Sequence, residues 1–101
     1  MTRVCLFTPT ASRELEGILD YVAKWGSLDS SEQLLGRINT TCQKLANFPG
    51  MGRSREEFPP EVRCFSVRDY LICYRATDVG VEILRIVSGY RDLGSLFAES
   101  D

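Results

Sequence analysis

The sequence predicts an α+β domain of order β-αα-βββ with a final helical turn, a helical hairpin packed on one face of a small, mainly antiparallel sheet. Three observations carry this expectation. Apolar residues recur at helical spacing from Ala11 to Leu45, strand-like runs replace them after Pro60, and short turn-like gaps divide those runs. At 101 residues the chain is long enough for one core and too short for two, so residues 1–101 are expected to form a single domain.

Residues 3–7 read as a strand, since the apolar run before Thr8-Pro9 is too short for a secretory signal. Thr8-Pro9 starts a helix, because the missing proline N–H is harmless in a first turn. Leu15, Ile18, Leu19, Val22 and Trp25 form its apolar stripe, and Gly26 ends it. Ser30 with Gln33 predicts a capping box for a second helix. Its stripe is Leu34, Leu35, Ile38, Cys42 and Leu45, and it ends near Phe48-Pro49-Gly50. A link this short packs two helices antiparallel. Residues 50–60, rich in glycine and proline, read as a loop. Strands follow at 62–67, 70–76 and 81–87, with gaps suited to hairpins. Residues 93–98 read as a last helical turn, and the tail 99–101 as frayed.

Alternation sets the strand faces. Val81, Ile83, Arg85 and Val87 are expected on one side, with Glu82, Leu84 and Ile86 on the other. Tyr70, Ile72 and Tyr74 likewise oppose Leu71, Cys73 and Arg75. Both faces are mostly apolar, so the face away from the helices needs a cover, and the simplest is another chain. Trp25, Phe48 and Tyr74 are expected in the core, whereas Tyr70 and Tyr90 suit either core or interface.

Composition excludes several classes. The apolar fraction of 44% and charged fraction of 26% are ordinary for a soluble domain. No apolar run reaches the roughly 18 residues that a membrane span needs. Cys5, Cys42, Cys64 and Cys73 stand singly and the chain has no histidine, so zinc-ligand spacing is missing. A cysteine nucleophile would lack its commonest base. The thiols are expected to be reduced and mostly buried, which points to the cytoplasm. No cofactor or metal is expected.

The net charge is −2, yet of 12 basic residues only Lys24 and Lys44 are not arginine. The guanidinium fork suits carboxylate or phosphate, although genome base composition explains the bias equally well. The overall balance argues against indiscriminate polyanion binding, so any nucleic-acid contact has to be local. Arg85 lies inside the run Ile83-Leu84-Arg85-Ile86-Val87, where a charge must meet an anion, solvent or a partner. Glu82, Asp92 or a backbone carbonyl are its internal candidates.

Four segments in fixed order carry a resemblance: Ala46-Asn47-Phe48-Pro49-Gly50-Met51-Gly52-Arg53; Val62-Arg63-Cys64-Phe65; Tyr70-Leu71-Ile72-Cys73-Tyr74-Arg75; and Val81-Glu82-Ile83-Leu84-Arg85-Ile86-Val87, followed by Arg91-Asp92. From about Phe7 to Phe97 the chain resembles the ParE branch of the ParE/RelE superfamily, the toxin halves of bacterial toxin–antitoxin pairs. The resemblance implies a type II toxin that inhibits DNA gyrase by trapping its cleaved DNA complex, rather than a hydrolase. It implies a ParD-like antitoxin whose disordered C-terminal segment folds onto the toxin, in a hetero-oligomer expected to be a heterotetramer. DNA would be met only indirectly, through antitoxin or gyrase. Target or antitoxin contacts are expected from Arg53, Arg63, Arg75, Arg85, Tyr90, Arg91 and Phe97.

The runner-up is a ribosome-dependent mRNA endoribonuclease, with Arg53, Arg63 and Arg91 lining its site. A third reading is an inactive domain of the same fold, kept for antitoxin binding. Ser88-Gly89 stands where many relatives read His-Gly, and Phe97 stands at the terminal tyrosine position. RNA cleavage at a 2′-hydroxyl needs proton transfer as well as charge stabilisation, so both departures weaken the nuclease reading.

Overall fold

Two capped helices and five strands make up the computed structural model, which describes residues 2–89 and 96–97. Helix α1 spans Pro9–Trp25, with Thr8 as N-cap accepting from the Ala11 N–H and proline in the first turn. Gly26 closes it with an N–H bond to the Val22 carbonyl. Helix α2 spans Leu28–Asn47 and starts earlier than expected. Its cap is Ser27, whose Oγ accepts from the Ser30 N–H at 2.9 Å and donates to the Ser30 Oγ at 2.9 Å. Ser30 is therefore already helical, and the expected Ser30–Gln33 box gives way to a nearer cap. Ser31 is buried between the helices, and its hydroxyl donates to the Leu19 carbonyl at 2.8 Å.

The strands are β1 (Val4–Phe7), β2 (Arg53–Ser54), β3 (Arg63–Val67), β4 (Tyr70–Thr77) and β5 (Gly80–Ser88). They form one five-stranded sheet in the order β1-β5-β4-β3-β2. β1 runs parallel to β5, and the other pairs are antiparallel. This is the α+β architecture the sequence predicts. One difference is β2, which falls in the segment expected to be loop. A 3₁₀ turn at Pro49–Met51 precedes it, and pairing with Arg63 and Cys64 makes it an edge strand. Gly80 opens β5 at φ 157°, and a Cβ there would run into the Val4 backbone. Only glycine lets β1 lie against the start of β5.

The first core cluster lies between helices and sheet, uniting Ala11, Leu34, Ile38, Cys42, Leu45 and Ala46 with Val67, Ile72, Tyr74, Val81, Ile83 and Ile86. Two residues expected there are outside it. Trp25 is 71% exposed and Phe48 is 66% exposed. Trp25 sits in the last turn of α1, past Val22, the last α1 residue packed on the cluster. Phe48 caps α2 where the chain turns away into the 3₁₀ segment.

The second face also departs from expectation. A cluster of Phe58, Val62, Cys64, Leu71, Cys73, Val87 and Leu96, with Leu84 and Phe97 against it, covers much of that face from within the same chain. The segment read as open loop thus supplies a lid anchored by Phe58, whose ring meets Phe97 edge-on at 5.2 Å. Val4 and Leu6 on β1 stay exposed.

Strict alternation fails on β5 because a bulge intervenes. Cys73 pairs with Arg85 while Tyr74 pairs with Ile83, leaving Leu84 without an opposite number. Val81, Ile83 and Ile86 therefore share the helix-side cluster, and Leu84 and Val87 pack on the other. Of the turn expected at 93–98, only Leu96 and Phe97 lie within the described residues.

Candidate partner-binding surface

A bulge re-aims a side chain, and here the side chain is Arg85. β1 ends at Phe7, so β5 beyond Ile83 lacks a strand on that side. The start of α1 replaces it: the Thr8 N–H bonds the Ile83 carbonyl, the Thr8 hydroxyl donates to the Leu84 carbonyl, and Glu14 accepts from the Ile86 N–H at 2.9 Å. The same carboxylate receives Arg85 Nε at 3.0 Å and Nη2 at 2.7 Å, and Arg85 Nη1 donates to the Leu96 carbonyl at 3.1 Å. Hydrogen bonding to Glu14 raises the Arg85 pKa above its ordinary value, outweighing the opposing effect of burial. Arg85 is thus held by Glu14 and a carbonyl, where the sequence offered Glu82, Asp92 or a carbonyl.

Glu82 has a different partner. It stands opposite Arg75 across β4 and β5, and Arg75 Nη2 lies 2.8 Å from its Oε1. This pair is solvent-exposed and next to Leu6, which pairs with Glu82 in register.

Pairing places Arg85, Cys73, Cys64 and Arg53 in one transverse row across β5, β4, β3 and β2. At about 4.8 Å per strand, the ends of that row are roughly 14 Å apart. The two thiols between them are buried. Burial pushes Cys73 up to about 12, which makes it inert as a nucleophile. Cys5 and Cys42 form another close pair: a hydrogen bond from Cys42 lowers Cys5, and the same bond with burial raises Cys42.

Arg53 is exposed on β2, and the loop carrying it is fixed by Tyr74. The Tyr74 hydroxyl donates to the Pro49 carbonyl at 2.6 Å and accepts from the Gly52 N–H at 2.8 Å. A Cβ at Gly52 would lie 2.5 Å from that hydroxyl, so the approach requires glycine. Burial raises the Tyr74 pKa despite the Gly52 bond, and burial likewise raises that of Tyr70. Arg63 donates to the Gly52 carbonyl at 2.9 Å and lies beside Ser54 in register. Arg53 and Arg63 therefore share the β2–β3 edge at register positions on opposite faces of the sheet, with Arg75 and Arg85 elsewhere. Phe97 is half-buried in the second cluster. Tyr90 and Arg91 lie outside the described residues.

Among the described residues no group of three or more His, Cys, Asp or Glu is arranged to hold a metal, and no helix is long and apolar enough to cross a membrane. Around these arginines the described surface holds guanidinium charge, buried thiols and two committed carboxylates, Glu14 and Glu82. These groups are displayed on a small α+β sheet.

Comparison with known proteins identifies the family. A family model described as the ParE toxin of the type II toxin–antitoxin system parDE matches residues 5–93, and the chain belongs to that family. Toxin ParE3 of Caulobacter vibrioides is 31% identical over 88 residues, covering 87% of this chain and 88% of that protein. A solved structure from the chromosomal ParDE TA system of P. aeruginosa shares the fold, with TM-score 0.72 at 21% identity over 86% of this chain and 96% of that chain. The chain is a toxin of the ParDE type.

Proposed function

We propose that this toxin acts by binding DNA gyrase and trapping its cleaved DNA complex, and that a ParD-like antitoxin neutralises it in the cytoplasm. The observation that carries the reading is arginine without the usual proton carriers at the positions where nuclease relatives have them. The chain has no histidine, Ser88 and Phe97 stand where a nuclease would need an acid or base, and Cys73 is a buried neutral thiol. Guanidinium groups alone hold anions and stabilise charge; they do not shuttle protons at neutral pH.

The exposed arginines Arg53 and Arg75, with half-buried Arg63, are the contacts open to acidic side chains of target or antitoxin. Phe97, packed against Phe58, is a further contact in this reading, and Tyr90 and Arg91 join it on the strength of the sequence resemblance. Arg85 contributes by setting the end of β5, through Glu14, rather than by offering free charge. The uncovered apolar residues Val4 and Leu6, beside the Arg75–Glu82 pair, suit an antitoxin segment that folds as it binds. We take the complex to be a heterotetramer.

The test is to purify the chain and assay gyrase supercoiling beside cleavage of ribosome-bound message. Inhibited supercoiling with accumulated cleaved DNA and intact message is expected. Message cleavage with normal supercoiling overturns the reading, and silence in both assays reduces the domain to an antitoxin-binding partner.

A further inference from the structure

A second cationic feature lies away from the arginines of the sheet. Between α2 and the β3–β4 turn runs an open groove of about 680 Å³, lined by Arg37, Thr40, Thr41 and Lys44 from the helix and by Ser66 and Arg68 from the strand end. Among the described residues no carboxylate lines it, and none of its three cations is in an ion pair. On a chain of net charge −2, three unopposed cations in one groove are a concentrated exception.

The lining is built from donors. Arg37, Thr40, Thr41 and Lys44 stand at i, i+3, i+4 and i+7, on one face of α2. Arg37 and Lys44 are about 10 Å apart along the axis, comparable to three phosphate-to-phosphate steps of about 3.4 Å in one DNA strand. A second, independent observation concerns Arg68. It sits at φ 54°, the only residue other than glycine at positive φ among those described. Glycine or asparagine rests there without strain, so a two-residue hairpin turn does not ask for arginine. An outlier of this kind points to a role for the side chain.

We propose that this groove holds the phosphate backbone of duplex DNA, so that the toxin touches DNA itself and not only through antitoxin or gyrase. An acidic peptide is the lesser fit. Segments that fold on binding need apolar anchors, and the apolar side chains here, Phe65 and Val67, are already packed on the core. A single strand is the lesser fit too, because it is held by stacking on free aromatic faces and Phe65 is occupied. Backbone contact by arginine, lysine and hydroxyl donors, without base reading, is what the lining supplies.

The experiment is a fluorescence-anisotropy titration of the full chain with a short labelled duplex over a range of salt. Three phosphate contacts give a log–log salt slope of roughly −2.7. Arg37→Gln, Lys44→Gln and Arg68→Gly are each expected to shorten that slope by about 0.9 and to weaken binding regardless of sequence. Arg68→Gly relieves a strained turn, so its melting temperature stays at or above the parent's, separating lost binding from lost fold. Arg53→Gln leaves the slope unchanged. Absence of duplex binding at low salt overturns the proposal, as does a slope insensitive to the three groove variants. Stronger binding of single-stranded RNA, or displacement of the duplex by a glutamate-rich peptide at equal charge, also overturns it. Supercoiling is not read in this titration, so the gyrase reading stands or falls separately.

Discussion

Replacing Glu14 by glutamine keeps an acceptor near the Ile86 N–H but leaves the Arg85 guanidinium half-buried without its counter-charge. Removing one partner of a buried pair is costly, and the 20% exposure of both side chains keeps the loss below the fully buried range. Chemical denaturation should show about 2 kcal/mol of destabilisation for Glu14→Gln. The exposed pair gives the contrast: Glu82→Gln should cost about 0.5 kcal/mol or less in the same measurement. At this scale the sequence was informative about Arg85 but not about its partner. An arginine inside an apolar strand announces a need for an anion, yet Glu14 is 71 positions away in the chain. The available hint was its spacing, four residues before Ile18 at the border of the α1 stripe. Arg37 and Lys44 likewise gain their neighbour only from the fold, which sets Arg68 beside them.

Elements come next, and here Tyr74 ties a strand to a loop. Tyr74→Phe deletes the hydroxyl that satisfies both the Pro49 carbonyl and the Gly52 N–H. An unsatisfied buried group costs about 2 kcal/mol. The expected result is a stability loss of that size, with faster amide exchange at Gly52 and along β2. Most elements were legible because their signals are local: stripes at helical spacing, caps, and hairpin gaps of fixed length. The misreadings were of a different kind. Ser30 looked like a cap because a capping box is a sequence pattern, while Ser27 caps by position. Alternation on β5 misassigned Val87 and Ile86 because a bulge at Leu84 shifts the register by one, and nothing at Leu84 itself signals it. β2 was invisible because two residues of strand are made by their partner, not by their own propensity.

On the scale of the whole molecule, buried thiols and phenol tie stability to alkaline pH. The folded-state pKa of Cys73 is about 12 against an ordinary 9.0, and burial raises that of Tyr74 as well. A raised pKa means that the fold favours the protonated form, so this contribution is complete below pH 9 and erodes as pH climbs toward 12. Melting temperature should hold steady up to about pH 9 and fall above it, and Cys73→Ala should make the decline shallower. The second face of the sheet shows the limit of sequence reading at this scale. Its apolar character was plain, but that Phe58, Leu96 and Phe97 would cover it depends on where a loop and a chain end come to rest.

The parallel pairing of β1 with β5 has a consequence for biosynthesis. Among the described residues β1 pairs with β5 alone, the last of these strands in chain order, and the Thr8 and Glu14 bonds reach similarly far along the chain. Such distant pairings form late and slowly. A ribosome translating this message therefore holds β1 without its strand partner until residue 88 has emerged, so the sheet closes only near the end of synthesis.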